Sequence, residues 1–135
     1  MRVFEWDGTA WTQMGATLYG TPAPSTILWH YDHFGEGLVM NANGDLLLVG
    51  APGHEGSKGR IQPYTWNGAA WAAYGDAIEG FDGDGSDLRT TNQYTGKSLA
   101  MNGAGTAIAA GGFVDQIGTT GELICMFGTV VNNPP

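Results

Sequence analysis

Basic side chains are scarce in this chain: Lys and Arg number five against thirteen Asp and Glu, which leaves a formal net charge of -8. A phosphate backbone is gripped by clustered Lys and Arg, so no nucleic-acid partner is expected. Charged residues of all kinds make up only 13%, against about 25% in ordinary domains. Cysteine occurs once, at Cys125, so no disulfide can close within the chain and the redox compartment is left unmarked. No apolar run approaches the roughly 18 residues of a membrane-spanning helix, and no membrane insertion is expected. The first fifteen residues lack the basic start and apolar stretch of a signal peptide, and no Asn-x-Ser/Thr sequon occurs. Helical periodicity is missing as well, which predicts no helix in 34–74 or 95–127.

What the chain has is glycine and repetition. Gly accounts for 23 of 135 residues, well above the usual ~7%, with no collagen-like period, and so reads as many tight turns between short strands. Trp6-Asp7-Gly8-Thr9-Ala10-Trp11 returns 60 residues on as Trp66-Asn67-Gly68-Ala69-Ala70-Trp71. Leu38, Met40, Asn41, Gly44 and Gly50 return 61 residues on as Leu99, Met101, Asn102, Gly105 and Gly111. A fixed period of this size marks a unit that cannot bury its apolar side alone and stacks on its neighbour.

Each unit reads as two hairpins. Leu38 to Asn41 and Leu46 to Val49 flank an Asn-Gly turn, and a type I′ turn with φ > 0 at both central positions is expected there. The second copy runs Leu99 to Asn102, Gly103-Ala104-Gly105, then Thr106 to Ala110. These inner strands are apolar on both sides, as strands packed between two sheets should be. The outer hairpins turn at Asp7-Gly8 and Asn67-Gly68, and their flanking Trp residues are expected to pack as cross-strand pairs. Pro63 lies within its strand, which predicts a place near a sheet edge. Stretches 15–34 and 75–96 read as loops joining the units.

Four antiparallel strands per unit, repeated in tandem, point to an all-β fold of β-propeller blades. The single domain spans 1–135, with an outer hairpin at 1–15, one blade at 34–75 and a second at 95–131. About two and a half blades form an incomplete ring, since propellers close with roughly four to eight. The chain is then expected either to be part of a longer propeller or to complete a ring or filament with other copies.

Phe34-Gly35 followed by Gly50-Ala51-Pro52 resembles the signature of the FG-GAP repeats, the family that includes the integrin α-subunit propeller. The Trp-Asp-Gly-x-x-Trp hairpin resembles one subgroup of it. The second copy departs from the pattern, with Thr95-Gly96 for Phe-Gly and Gly111-Gly112-Phe113 for Gly-Ala-Pro. The resemblance implies an extracellular or surface-displayed module that binds proteins or glycans. It implies no calcium between Phe34-Gly35 and Gly50-Ala51-Pro52. The family's acidic ladder is replaced there by Met40-Asn41-Ala42-Asn43-Gly44-Asp45, with one acid.

Two clusters carry candidate chemistry. Asp82-Gly83-Asp84-Gly85-Ser86-Asp87 spaces oxygens as a calcium loop begins, through Asp82, Asp84 and Ser86. Asp87 stands where such a loop needs Gly, and Gln93 where it needs Glu. Calcium there and a plain solvated loop remain the two readings, and no cofactor is otherwise expected. Trp29, His30, Tyr31 and His33, with Asp32 among them, form a polar aromatic stretch suited to a contact surface. Ordinary loop packing is the alternative, and zinc lacks a further signalled ligand.

No nucleophile elbow or phosphate loop is present. The leading expectation, which the resemblance implies, is a non-enzymatic, extracellular or surface-displayed module for protein or glycan binding and adhesion. Beside it stand a self-assembling subunit of a virion, appendage or filament, whose partner is itself, and a propeller-scaffold hydrolase.

Overall fold

The computed structural model describes residues 1–21, 31–80, 93–113 and 123–129, with Phe113 and the last stretch as backbone alone. The described chain is all-β, in three antiparallel sheets. Strands β1 (Phe4–Trp6) and β2 (Trp11–Gln13) form an N-terminal hairpin. A meander follows, of β3 (Leu38–Met40), β4 (Leu46–Ala51), β5 (Arg60–Trp66) and β6 (Trp71–Ala73). Strand β7 (Ile78–Glu79) pairs with the start of β5, beyond the end of β6. The third sheet is a meander of β8 (Ser98–Met101), β9 (Ala107–Phe113) and β10 (Leu123–Thr129).

The sequence repeat is also a repeat of register. Leu38 lies opposite Val49 and Met40 opposite Leu47, while Leu99 lies opposite Ala110 and Met101 opposite Ile108. All four partners move by the same 61 positions. The turns repeat too. Asn41 Oδ1 accepts the amides of Asp45 and Leu46, both at 3.1 Å, and Asn102 Oδ1 accepts those of Thr106 and Ala107 at 2.8 and 3.0 Å. The outer hairpins use the same device: Asp7 Oδ1 accepts the amides of Thr9 and Ala10, and Asn67 Oδ1 those of Ala69 and Ala70. In each turn one side-chain oxygen ties two loop amides that the ladder leaves free.

Those bonds correct the type I′ turn expected at Asn43-Gly44, and the outer hairpins share the same closure. Gly8, Gly44 and Gly68 have positive φ, but Asp7, Asn43 and Asn67 do not. Trp6 pairs with Trp11 and Trp66 with Trp71, so four residues form each outer loop, and the Asp or Asn side chain supplies the closure. The tryptophan pairs form as expected, with centroids 5.4 Å apart for Trp6–Trp11 and 5.5 Å for Trp66–Trp71.

Pro63 is near a sheet edge, as expected: its β5–β6 hairpin ends the central sheet, with β6 the edge strand. The Pro63 carbonyl accepts from Tyr74, so the residue's missing N–H faces the gap between β6 and β7, and the ladder to β4 loses nothing. Two further expectations change. A helical turn, α1 (His54–Ser57), lies within 34–74, where none was expected, but Glu55 (φ 47°) and Gly56 (φ 71°) are left-handed, so it closes a loop without continuing. The stretch read as a loop over 75–96 contains β7.

The core follows from alternation along β4. Leu48 points one way and joins Ile61, Ile108 and Ala110, with Val39, Ile78, Leu99 and Met101 packed around them. Leu47 and Val49 point the other way and join Trp71, with Met1, Val3, Met14, Leu18, Phe34, Tyr64 and Trp66 around them. Strand β4 is therefore buried on both sides, each full side-chain burial contributing about 1.5–3 kcal/mol. No helix among the described residues is long and apolar enough to cross a membrane.

Candidate functional site

Strand β5 carries its polar and aromatic side chains at alternate positions, Arg60, Gln62 and Tyr64, on one side of the sheet. The intervening Ile61 faces the third sheet instead. Together with Val49 and Ala51 of β4, these three side chains line a cleft of about 230 Å³. The opposite wall comes from Tyr19, Gly20 and Thr21 and from Asp32 and Phe34. The cleft thus lies between the central sheet and the segments that join it to the N-terminal hairpin.

Asp32 holds that wall together. Its Oδ2 accepts the amide of Thr21 at 2.6 Å and its Oδ1 that of Phe34 at 3.1 Å. Its backbone carbonyl accepts the amide of Gly53 at 3.0 Å. A Cβ on Gly20 would run into the Asp32 carboxylate, so glycine is needed for this approach. Phe34 meets Tyr64 edge to face with centroids 6.3 Å apart, forming an aromatic corner of the cleft.

Arg60 is the cleft's cation. Its Nε sits 2.7 Å from Glu79 Oε1, and because no aligned hydrogen bond reaches this buried atom, the contact is one of charge. Glu79 Oε2 lies 4.0 Å from His54 Nε2, which adds a second positive partner whenever that ring is protonated. Burial pushes the Tyr64 phenol above its ordinary 10.0, with the Arg60 charge opposing it. Tyr64 is therefore neutral at physiological pH and available as a hydroxyl donor.

The cleft gathers donors from Arg60, Gln62 and Tyr64, acceptors from Asp32 and Gln62, and aromatic walls from Phe34 and Tyr64, with Tyr19, 81% exposed, also lining it. Asp32 is the one carboxylate lining it among the described residues. Groups of this kind can hold a polar ligand by hydrogen bonds and apolar contact.

Of the residues singled out from sequence, Tyr31 and His33 lie beside this cleft and do not line it. Tyr31 is 70% exposed. His33 takes a left-handed φ of 55° and turns to the surface, with Nδ1 3.6 Å from Glu36 Oε2. Among the described members of that stretch, Asp32 between them is the one that lines the cleft. Trp29, His30, Asp82, Asp84, Ser86 and Asp87 lie outside the described residues. Among the described residues, no three His, Cys, Asp or Glu side chains converge as a metal ion would need. Sequence reasoning missed Arg60, Gln62 and Tyr64. Their i, i+2, i+4 spacing on a strand next to the buried β4 was the available signal.

A second feature is an uncovered apolar strip. Leu38 is 48% and Met40 38% exposed on β3, although their repeat equivalents Leu99 and Met101 pack into the core. Comparison with protein-family models, with curated proteins and with solved structures returns no match.

Proposed function

We propose that this chain is a run of stacked β-propeller blades of the FG-GAP kind, acting as a non-enzymatic, surface-displayed binding module, and that its cleft holds a sugar unit of a glycan. The repeated register, and a central strand buried on both sides, support the stacking. The observation that carries the binding is the cleft itself. Aromatic walls from Phe34 and Tyr64 flank hydrogen-bonding groups from Asp32, Arg60 and Gln62 in a volume of about 230 Å³, which the exposed Tyr19 also lines. A sugar ring offers an apolar C–H side to such walls and hydroxyls that both donate and accept to such polar groups. The extracellular or surface location belongs to the same reading and rests on the family resemblance.

The test is a glycan-array screen followed by calorimetric titration of the best ligand. Wild type should bind and Gln62→Ala should weaken binding about tenfold, equivalent to ~1.4 kcal/mol, with the fold intact. Absence of any glycan binding, or a hit that Gln62→Ala and Tyr19→Ala leave unchanged, would overturn this assignment.

A second reading, a subunit that assembles with itself, is favoured by the uncovered strip at Leu38 and Met40.

A further inference from the structure

We propose that the strip formed by Leu38 and Met40 on β3 is a docking site for a second copy of this chain, which covers it with the outward side of its β8–β9 hairpin at Ala100 and Ala109. The proposal goes beyond the cleft and rests on the blade stacking offered above.

The docking contact is a translation of an interface the chain already contains. Leu38, Met40, Leu47 and Val49 correspond, 61 positions on, to Leu99, Met101, Ile108 and Ala110. The second set lies on the preceding sheet, where Val39 and Leu48 cover it. The first set is only half covered. Leu47 and Val49 are buried beneath the N-terminal segment, while Leu38 and Met40 stand open because the β1–β2 hairpin has no inner hairpin beside it among the described residues. The tryptophan pairs show the same displacement: Trp71 is buried under the N-terminal segment, whereas its counterpart Trp11 is 67% exposed.

What is needed to cover the strip is therefore a hairpin side equivalent to Val39 and Leu48. One other such side exists among the described residues. Ala100 and Ala109 pair with each other as Val39 pairs with Leu48, and they face away from the central sheet. Ala100 is exposed and Ala109 half-buried. The two surfaces suit each other in size, the large exposed Leu38 and Met40 side chains on one, and the small exposed Ala100 beside the half-buried Ala109 on the other. Within the chain, the repeat stacks β8 against β3 and β4. The contact between copies continues that interface, and because it joins unlike surfaces it propagates as a ring or a filament.

The test uses the full chain and two variants, with folding of each checked by circular dichroism and tryptophan emission. One variant carries Leu38→Asp and Met40→Asp at exposed positions, and the other carries Ala100→Glu. Wild type should associate in sedimentation equilibrium, and each variant alone should be monomeric. An equimolar mixture should form a dimer and nothing larger, since only one complementary pair of surfaces survives in it. Leu38→Ser with Met40→Ser, a milder change, should give a monomer too. A wild-type monomer at the highest soluble concentration would overturn the docking, as would a mixture that stays monomeric or an Ala100→Glu chain that assembles as wild type does. None of these results bears on sugar binding in the cleft, which calorimetry reads separately.

Discussion

Gly50 of β4 lies directly against the backbone carbonyl of Gly96, and a Cβ on Gly50 would collide with that oxygen. Gly37 meets the same carbonyl from the neighbouring position on the sheet. The start of one unit thus rests on the bare backbone of the unit before it. This gives the glycine in Gly50-Ala51-Pro52 a physical reason. Among the described residues, its repeat equivalent Gly111 has the Ser98 side chain nearest, at 3.5 Å, which is ordinary contact.

Gly50→Ala should therefore cost about 1–3 kcal/mol as an overpacked contact. Gly111→Ala should be close to neutral, since the residue is not in a left-handed conformation. Urea denaturation of the two variants measures the difference. Equal costs would mean that the strand, and not the stacking, needs glycine.

Asn41 and Asn102 close equivalent turns but differ in burial, Asn41 being buried and Asn102 exposed. Removing Asn41 leaves loop amides without a partner where water reaches poorly, so Asn41→Ala should cost about 1–3 kcal/mol and Asn102→Ala about 1 kcal/mol or less. Thermal melts of the two variants rank them.

Asp7 and Asn67 make the same bonds in the two outer hairpins, and only one of them carries a proton that can be gained. Hydrogen bonds from the Ala10 amide, then from the Thr9 hydroxyl and amide, hold the Asp7 carboxyl below its ordinary 3.8. A depressed folded value means that the stabilisation is present above the unfolded value and is lost as pH falls through the folded one. Wild type should thus lose stability on acidification below about pH 4 more steeply than Asp7→Asn, which keeps the accepting oxygen. Parallel melting curves for both proteins from pH 6 to pH 2 would contradict this.

Trp71 and Trp11 occupy matching places in two hairpins, one covered and one open. Trp71→Ala should cost about 3–5 kcal/mol, as large core truncations do. Trp11→Ala should stay within about 0.5 kcal/mol in the isolated chain, as surface changes usually do. Guanidinium denaturation distinguishes them.

The sequence made the repeat, its register and its turn positions legible because they depend on short local patterns. The period of 61 placed Leu99 and Met101 where Leu38 and Met40 are, and the structure keeps that correspondence down to single hydrogen bonds. Pro63 marked the edge hairpin β5–β6, although the break between β6 and β7 that spares its missing N–H belongs to the sheet and not to the strand. The Asn43-Gly44 turn misled, because a side-chain oxygen replaces the second left-handed residue. The cleft was hidden for a similar reason. Arg60, Gln62 and Tyr64 become a site only when Asp32, nearly thirty residues earlier, is clamped to Thr21 and brought against them.

Equivalent units stack in one register, with Leu48 of one unit against Ile108, Leu99 and Met101 of the next. Methyl NOEs on a side-chain-labelled sample test this most directly. Cross-peaks should link Leu48 to Ile108, Leu99 and Met101, while Leu47 and Val49 show cross-peaks to Met14 and Leu18. A pattern in which Ala100 and Ala109 approach Leu48 instead, as a one-residue slip would bring about, would contradict the shared register and with it the stacking.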